Sequence, residues 1–442
     1  MDRRWLKLSE WIDCEWKQCR DEGKNVSLYR ECFNALDEAG AADLIEKMER
    51  CPVQENYRYS EPDEYADILK ELPPAESKRQ ANINENTYRE KLRGAWYLRI
   101  IGCEMGKPVE GFSRKAIRCL AEETGNYPIK DYFDDGKFTE DLKNKLLKEY
   151  NTKLHPFWWK TGFNGYAFWD DDLNYTVLNL SVLEKFGKDF TSINVAEIWL
   201  DSLPVLATCT AERIAYKNIL NGMDPAVTAK YRNPFREWVG AEIRADIFGY
   251  IYPGKPRHAA YLAYKDAVVS HVKNGVYGEM FAAAMIAAAF CSDKAEDAVK
   301  AGISEIPARC RLAKYIKDVV AFYNCGRAFG EVMDYIDEIF PENDRQYAVH
   351  VIPNVMIVTA ALLYGNGIID RSLGLAVEAG YDTDSNCATV GSVVGILNGF
   401  SAIDSKLYDM FGGKLETLVK NYNYIDIDLL VDKTENIARN LL

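Results

Sequence analysis

Two groups of acidic residues offer the oxygen ligands that hard divalent cations prefer. The first is the run Asp170, Asp171 and Asp172, and the second is G-Y-D-T-D-S-N at 380–386, which contains Asp382, Asp384 and Ser385. Adjacent carboxylates repel one another, and burying them is costly unless a cation neutralises their charge. Carboxylate and hydroxyl oxygens suit magnesium, calcium or manganese. The two runs therefore predict a metal site.

Each run also has a purely structural interpretation. An acidic residue before the apolar helix that begins near Leu173 could cap that helix and gain from its dipole, although one acid suffices for a cap. The D-x-D-S sequence at 382–385 is also typical of an Asx turn that begins a helix. Both interpretations stay open on these residues alone.

A third segment combines glycines with a single acid. Gly94 and Ala95 are followed by G-C-E-M-G-K-P-V-E-G at 102–111. A helix that ends in this Gly/Pro turn would present Glu110 at its rim. Alone this is weak support for function, because a glutamate on a surface loop is usually only solvated.

Taken in order, the three segments resemble the ADP-ribosylglycohydrolase family. Its pattern has an early G-A…G-D-x-x-G-x-P-x-E segment, a middle [ST]-D-D-T segment and a late G-G-D-T-D-[TS]-N-A…G…G segment. The resemblance covers about residues 86–400, and the late match at 380–395 is the most specific. It implies an all-α fold, an orthogonal bundle of many helices, and hydrolysis of a ribosyl glycosidic bond.

The resemblance also implies a binuclear magnesium or manganese centre and assigns roles to residues. The expected metal ligands are Asp170, Asp171, Asp172, Asp382, Asp384 and Ser385. The expected catalytic residues are Glu110, Asp171, Asp172 and Asp384, with Glu110 near the scissile bond. A looser match implies that the substrate cleft is lined by Ser270, His271, Asn274, Gly275, Tyr277 and Gly278. His271 is equally typical of a hydrogen-bonded core histidine.

Three positions depart from the family pattern. Cys103 stands where the early segment has Asp, Asp170 where the middle segment has Ser or Thr, and Leu173 where that segment ends in Thr. A carboxylate at 170 still offers hard oxygens, whereas Leu173 cannot ligate. One of the two expected metal positions could therefore be altered or weakened.

The elements that must position these residues are predicted to be helices. From about residue 86 onward, helical patterns alternate with short Gly, Pro and Asn breaks, and alternating strand patterns are scarce. The alanine-rich run at 281–290 predicts a helix buried on most sides. We expect residues 1–85 to form a helical extension with a strap at 52–77, and residues 86–442 to form the main domain. The polar segment 111–154 is expected to be an insertion or lid.

Two arginines are further candidates for contact with substrate. Arg236 and Arg244 lie beside large aromatic residues, and either could bind a phosphate through two hydrogen bonds. The alternative is an internal ion pair, such as Arg244 with Asp246 or Glu242.

Composition narrows the possible partners and location. The 442 residues are 48% hydrophobic and carry a formal charge of −13, which disfavours polynucleotides and anionic membranes. The scattered cysteines, with no signal-like N-terminus and no apolar run of membrane-spanning length, predict a cytoplasmic protein. The oligomeric state stays open.

Three functions fit these observations. The first is a hydrolase that removes ADP-ribose from a modified protein or nucleic-acid group. The second is an N-ribosyl hydrolase acting on a small nucleoside-like molecule, which is favoured if residues 1–85 and 111–154 close the site. The third is a non-catalytic relative that binds ADP-ribose, for which Cys103 and Leu173 are the best support.

Overall fold

Helix-forming segments separated by Gly, Pro and Asn fold into an all-α protein in the computed structural model, which describes residues 4–33, 36–74 and 83–441. The α-helices of the described residues are α1 Ile12–Asp21, α2 Glu38–Glu49, α3 Tyr65–Lys70, α4 Glu85–Gly106, α5 Arg114–Glu123, α6 Glu140–Tyr150, α7 Asp171–Phe186, α8 Ser192–Ser202, α9 Thr210–Leu220, α10 Val227–Lys230, α11 Asp246–Tyr250, α12 Pro256–Ala267, α13 Lys273–Ala289, α14 Ala295–Ile303, α15 Arg311–Asn324, α16 Phe329–Ile339, α17 Arg345–Ala348, α18 Val351–Gly365, α19 Ile369–Glu378, α20 Thr383–Asn398 and α21 Ile427–Leu441.

Shorter elements connect these helices. The 3-10 helices are Leu8–Glu10, Ser27–Phe33, Lys107–Val109, Asp135–Lys137, Lys160–Gly162, Gly187–Asp189, Val205–Ala207, Val239–Arg244, Phe400–Ala402, Ser405–Leu407 and Asp409–Phe411. Strands β1 Lys414–Leu415 and β2 Ile425–Asp426 pair antiparallel, with Lys414 opposite Asp426. The expected all-α class is confirmed.

Helices α13 and α18 lie in the hydrophobic core. Almost every side chain of both is buried, including nearly all of the alanine-rich run at 281–290. Small side chains let neighbouring elements approach closely: a Cβ atom on Gly249 would lie 2.5 Å from the Ile286 side chain. The predicted burial of this run is confirmed.

Helices α4 and α20 pack backbone against backbone through glycines. A Cβ atom on Gly94 would lie 2.4 Å from the carbonyl oxygen of Gly395, and one on Gly106 would lie 2.2 Å from that of Thr383. Backbone atoms cannot rotate aside, so a larger residue would separate the helices. These contacts bring the early glycine-rich segment against the late acidic segment.

Residues 4–33 and 36–74 form a helical layer that is joined to the rest of the chain by buried contacts. Trp11 of α1 packs edge-to-face on Phe235, with ring centres 5.0 Å apart. Arg236 forms buried ion pairs with Glu15 and Glu22. The described part of the expected strap, 52–74, contains the short helix α3, and positions 75–77 lie outside the described residues. The domain boundary near residue 85 stays a prediction.

The segment 111–154 contains α5 and α6 and packs closely on the bundle. A Cβ atom on Gly374 of α19 would lie 2.0 Å from the carbonyl oxygen of Ile129. The Tyr132 hydroxyl donates to the carbonyl oxygen of Leu407 at 2.7 Å. Its assignment as an insertion or lid stays a prediction.

Candidate metal centre

The middle acidic run lies at the start of α7. The Oδ1 atom of Asp170 accepts a hydrogen bond from the backbone N–H of Asp172 at 3.3 Å, so Asp170 caps the helix. Asp171 and Asp172 occupy the first turn. Metal-ligand atoms of the three acids lie within 4.8 Å of one another. The capping interpretation thus holds for Asp170 and leaves the carboxylates of its two neighbours for another role.

The late acidic run turns sharply into α20. Gly380 and Tyr381 have φ values of 74° and 63°, and the glycine adopts this left-handed conformation without strain. Asp382 follows at the N-cap of α20, and Asp384 lies in the first turn. The Ser385 hydroxyl donates to the Asp382 carbonyl oxygen at 3.2 Å, which leaves its oxygen lone pairs available.

The fold gathers these acids into one region. Ligand atoms of Glu110, Asp382 and Asp384 lie within 4.8 Å of one another, although Glu110 is distant in sequence. Burial, and then the charge of Asp384, raises the pKa of Asp172 well above its ordinary value. The two acidic runs therefore lie close enough for their charges to interact, and their sharing of a cation stays a prediction.

Buried polar side chains hold both runs in place. Arg99 of α4 pairs with Asp246 at 2.9 Å and donates to the Asp172 carbonyl oxygen at 3.0 Å. Asn354 of α18 accepts hydrogen bonds from the Asp382 backbone N–H at 3.3 Å and from the Asn386 side chain at 2.8 Å. Buried side chains of the core therefore hold the backbone at the starts of α7 and α20 in place.

The oxygens left over fit a cation. Among the described residues, Asp172 Oδ1 and Asp384 Oδ1 are buried and have no hydrogen-bond partner. Buried carboxylate oxygens are normally hydrogen-bonded or bind a metal. These unpartnered oxygens are the observation that makes the cluster suitable for a divalent cation.

Burial, followed by mutual repulsion, raises the pKa values of most of these acids. Burial, and then the charge of Asp170, raises the pKa of Asp384 to about 6. Burial raises the pKa values of Asp171 and Asp382 well above the ordinary range, with further increases from Asp170 and Asp384 respectively. Glu110 is exposed at the rim, and the charge of Asp384 is the main cause of its strongly raised pKa.

Asp170 differs from Asp172 and Asp384 because both its oxygens have partners. Its Oδ2 atom lies 2.7 Å from the buried Lys107 ammonium, and its Oδ1 atom caps α7. Burial alone would raise its pKa, but the charge of Lys107 lowers it below the ordinary value. Beside this pair, burial raises the pKa of Glu104 to about 8.

The family departures lie next to the acids. Cys103 is buried in α4, and burial, followed by the charge of Asp170, raises the pKa of its thiol well above the ordinary value. The thiol is therefore neutral and a poor ligand for a hard cation. Leu173 is buried in the hydrophobic core.

The six residues expected to line the substrate cleft are buried: Ser270, His271, Asn274, Gly275, Tyr277 and Gly278. The side-chain amide of Asn274 donates to Glu61 at 2.8 Å and to Glu237 at 3.0 Å, and the Tyr277 hydroxyl donates to the Pro62 carbonyl oxygen. Residues of the strap thus cover this segment. Its contact with substrate stays a prediction.

The neighbouring polar residues form internal networks. The Ser270 hydroxyl lies 2.8 Å from His271 Nδ1 and accepts a hydrogen bond from Arg244 at 2.9 Å. Arg244 pairs with Glu212 at 2.6 Å and also with Asp266. The expected ion pair is therefore present, but the partners named from sequence proximity, Asp246 and Glu242, were wrong.

Sequence reasoning missed three residues around the acids. Lys107 lies inside the early segment at 102–111, and its closeness in sequence to Glu110 could have indicated that it lies near the site. Cys209, at the N-cap of α9, lies beside Asp171, and Asn354 supports the late turn. Neither stands in a recognisable motif, and only the fold brings them to the site.

The fold and the acidic cluster define an all-α protein with a carboxylate centre suited to a divalent cation. The sequence model of a protein family described as ADP-ribosylglycohydrolase matches residues 84–435 of the chain. The chain belongs to the ADP-ribosylglycohydrolase family, and this membership suggests glycohydrolase activity on ADP-ribose-type substrates.

Other comparisons place the chain less specifically. It is similar to a solved structure titled "ADP-ribosylglycohydrolase-related protein complex", with 14% identity and a TM-score of 0.47. That similarity covers 81% of this chain and 100% of the other. A search of curated proteins found no match. Among the described residues, no helix has the length and apolar character needed to cross a bilayer.

Proposed function

We propose that the protein is a metal-dependent hydrolase that cleaves the glycosidic bond at C1 of a ribose and removes ADP-ribose from a modified acceptor. The observation that carries this proposal is the pair of buried, unpartnered oxygens, Asp172 Oδ1 and Asp384 Oδ1, in the described structure. Family membership supplies the ribosyl substrate class.

The metal would be magnesium or manganese. We propose Asp171, Asp172, Asp382 and Asp384 as its carboxylate ligands and Ser385 as a hydroxyl ligand. A divalent cation bound there supplies Lewis-acid stabilisation to ribose hydroxyls and to a water molecule. The charge of the cation would also offset the burial and the mutual repulsion that raise the pKa values of these acids.

Glu110 is the proposed general acid/base. Glu110 is an exposed residue at the edge of the acidic cluster, which leaves it open to a leaving group or water. The charge of Asp384, followed by burial, raises the pKa of the Glu110 carboxyl group above its ordinary value, and a bound cation would offset part of that charge. In the proposed reaction Glu110 donates a proton to the leaving atom of the acceptor and later takes one from water.

A second candidate is hydrolysis of a small N-ribosyl molecule. The observation that favours it is the coverage of residues 270–278 by the strap, in which Glu61 and Pro62 contact Asn274 and Tyr277. If that segment forms part of the cleft wall, the strap narrows the space available to a large acceptor. A non-catalytic protein that binds ADP-ribose is the remaining alternative.

The decisive experiment compares metal binding and turnover in the full-length protein and its Asp384→Asn variant. We expect wild type to bind Mg²⁺ or Mn²⁺ in calorimetric titration and to release ADP-ribose from a modified acceptor. Asp384→Asn should lose both, while replacement of the exposed Asp293 by Asn should change neither. If the protein hydrolyses a nucleoside but not the ADP-ribosylated acceptor, the small-molecule N-ribosyl hydrolase is supported. If it binds the metal but hydrolyses neither substrate, the non-catalytic ADP-ribose-binding protein is supported.

A further inference from the structure

We propose that Lys107 is a positioning residue that pairs permanently with Asp170 and thereby keeps that carboxylate out of the metal's ligand set. On this view the pair sets the net charge that the divalent cation meets, and Asp170 serves to hold the first turn of α7. The inference rests on the proposed function, because it presupposes a bound divalent cation.

The first support is the direct contact. The Lys107 Nζ atom lies 2.7 Å from Asp170 Oδ2, and the two side chains are only 6% and 7% exposed. The same ammonium group donates to the carbonyl oxygen of Trp169. Separating a buried ion pair leaves an uncompensated charge in a poorly hydrated site, which is strongly unfavourable.

Two aromatic rings confine the ammonium group from other directions. The Nζ atom lies 5.2 Å from the ring centre of Trp158 and 5.5 Å from that of Trp169. Indole faces attract cations, especially where water is excluded. If Lys107 turned away so that Asp170 could bind the cation, the contacts with both indole rings would be lost together with the ion pair.

The second support is the contrast between Asp170 and the neighbouring acids. Asp170 uses Oδ2 for Lys107 and Oδ1 to cap α7. In the described structure, Asp172 and Asp384 each keep one buried oxygen with no hydrogen-bond partner. Asp172 and Asp384 thus each keep an oxygen without a partner for a cation, whereas both oxygens of Asp170 already have partners.

The charges give the two single variants effects of opposite sign. Lys107→Met would release an unpaired carboxylate beside the cation, whereas Asp170→Ser would leave an unpaired ammonium group there. A unit charge at short range in a partly buried site changes affinity by on the order of tenfold or more. Removing both partners together should largely cancel the two effects.

The test is a double-mutant cycle on the full-length protein, with Mg²⁺ and Mn²⁺ affinities measured by calorimetry. We expect Lys107→Met to bind about tenfold more tightly than wild type, Asp170→Ser about tenfold more weakly, and Lys107→Met/Asp170→Ser within about threefold of wild type. If a variant fails to fold, Lys107→Gln and Asp170→Asn give the same cycle with closer isosteres.

Each other result has a definite meaning. If Asp170 were a ligand, the double variant would bind far more weakly than wild type even though the ammonium group is gone, and the inference would be overturned. If the pair were only structural, the variants would melt earlier without metal but keep wild-type affinity, which would also overturn it. If wild type binds no divalent cation, the proposed function fails first and this inference with it.

Discussion

The Thr383 hydroxyl donates a hydrogen bond to the carbonyl oxygen of Gly106 at 2.8 Å. This contact joins the last residue of α4 to the first residue of α20. Glu110 follows Gly106 by four residues, and Asp384 directly follows Thr383. The spacing of the acidic cluster therefore depends on how closely the end of α4 approaches the start of α20. Gly106 makes that approach possible.

Replacing Gly106 by Ala should therefore disturb both stability and the site. The new Cβ atom would lie 2.2 Å from the Thr383 carbonyl oxygen, so the backbone must move. We expect a loss of about 2–4 kcal/mol in the free energy of unfolding, together with weaker divalent binding. Urea unfolding and calorimetry measure the two effects.

Gly330 in α16 is the matched control. A Cβ atom there meets no atom within 4 Å, so Gly330→Ala should leave stability unchanged or raise it slightly. Equal stability of the Gly106→Ala and Gly330→Ala variants would contradict the proposed role of the close helix contact.

The ion pairs that attach the N-terminal helical layer, residues 4–33 and 36–74, to the bundle lead to a second prediction. Glu22 is buried and lies 2.7 Å from Arg236 and 3.0 Å from Lys273. Glu22→Ala would remove a negative charge that balances these two cations. We expect it to lower the free energy of unfolding, measured in urea, by about 3–5 kcal/mol. The exposed Asp43, paired with Lys47 on the surface, serves as control, and Asp43→Ala should cost at most about 1 kcal/mol. A small loss in Glu22→Ala would mean that the layer contributes little to the stability of the bundle.

The helical class and the acidic cluster were predictable from sequence for local reasons. Helical periodicity is a pattern of nearby residues, so it can be recognised in a single segment. Asp382, Asp384 and Ser385 also lie within one short turn, so their grouping is visible in the sequence. The pairing of Lys107 with Asp170 was not predictable, because a salt bridge between separate elements depends on packing. Likewise, the partners of Arg244 come from α9 and α12 and not from its sequence neighbours.

The third prediction concerns pH. Without metal, Asp384 has a pKa of about 6, while Asp172 and Asp382 have pKa values raised well above the ordinary range. A divalent cation binds the ionised carboxylates, so binding near pH 6 should release protons and weaken as pH falls. Titrations in two buffers of different ionisation enthalpy measure that release. Affinity that stays constant between about pH 5 and pH 7.5 would show that these acids do not hold the cation.

The fourth prediction separates a structural role from a substrate-binding role in the segment 270–278. The Asn274 side chain donates to Glu61 and Glu237 and accepts from the Leu312 backbone N–H at 2.9 Å. Its removal would leave buried polar groups without partners, so Asn274→Ala should lower the free energy of unfolding by about 1–3 kcal/mol.

The matched control for this variant is Asn221→Ala. The Asn221 side chain makes an exposed hydrogen bond to the Lys217 carbonyl oxygen, so its loss should change stability little. Because the Asn274 amide is saturated by protein partners, we expect folded Asn274→Ala protein to keep the wild-type KM for an ADP-ribosylated substrate. A raised KM with unchanged stability would instead mean that the strap opens and that Asn274 contacts the substrate directly.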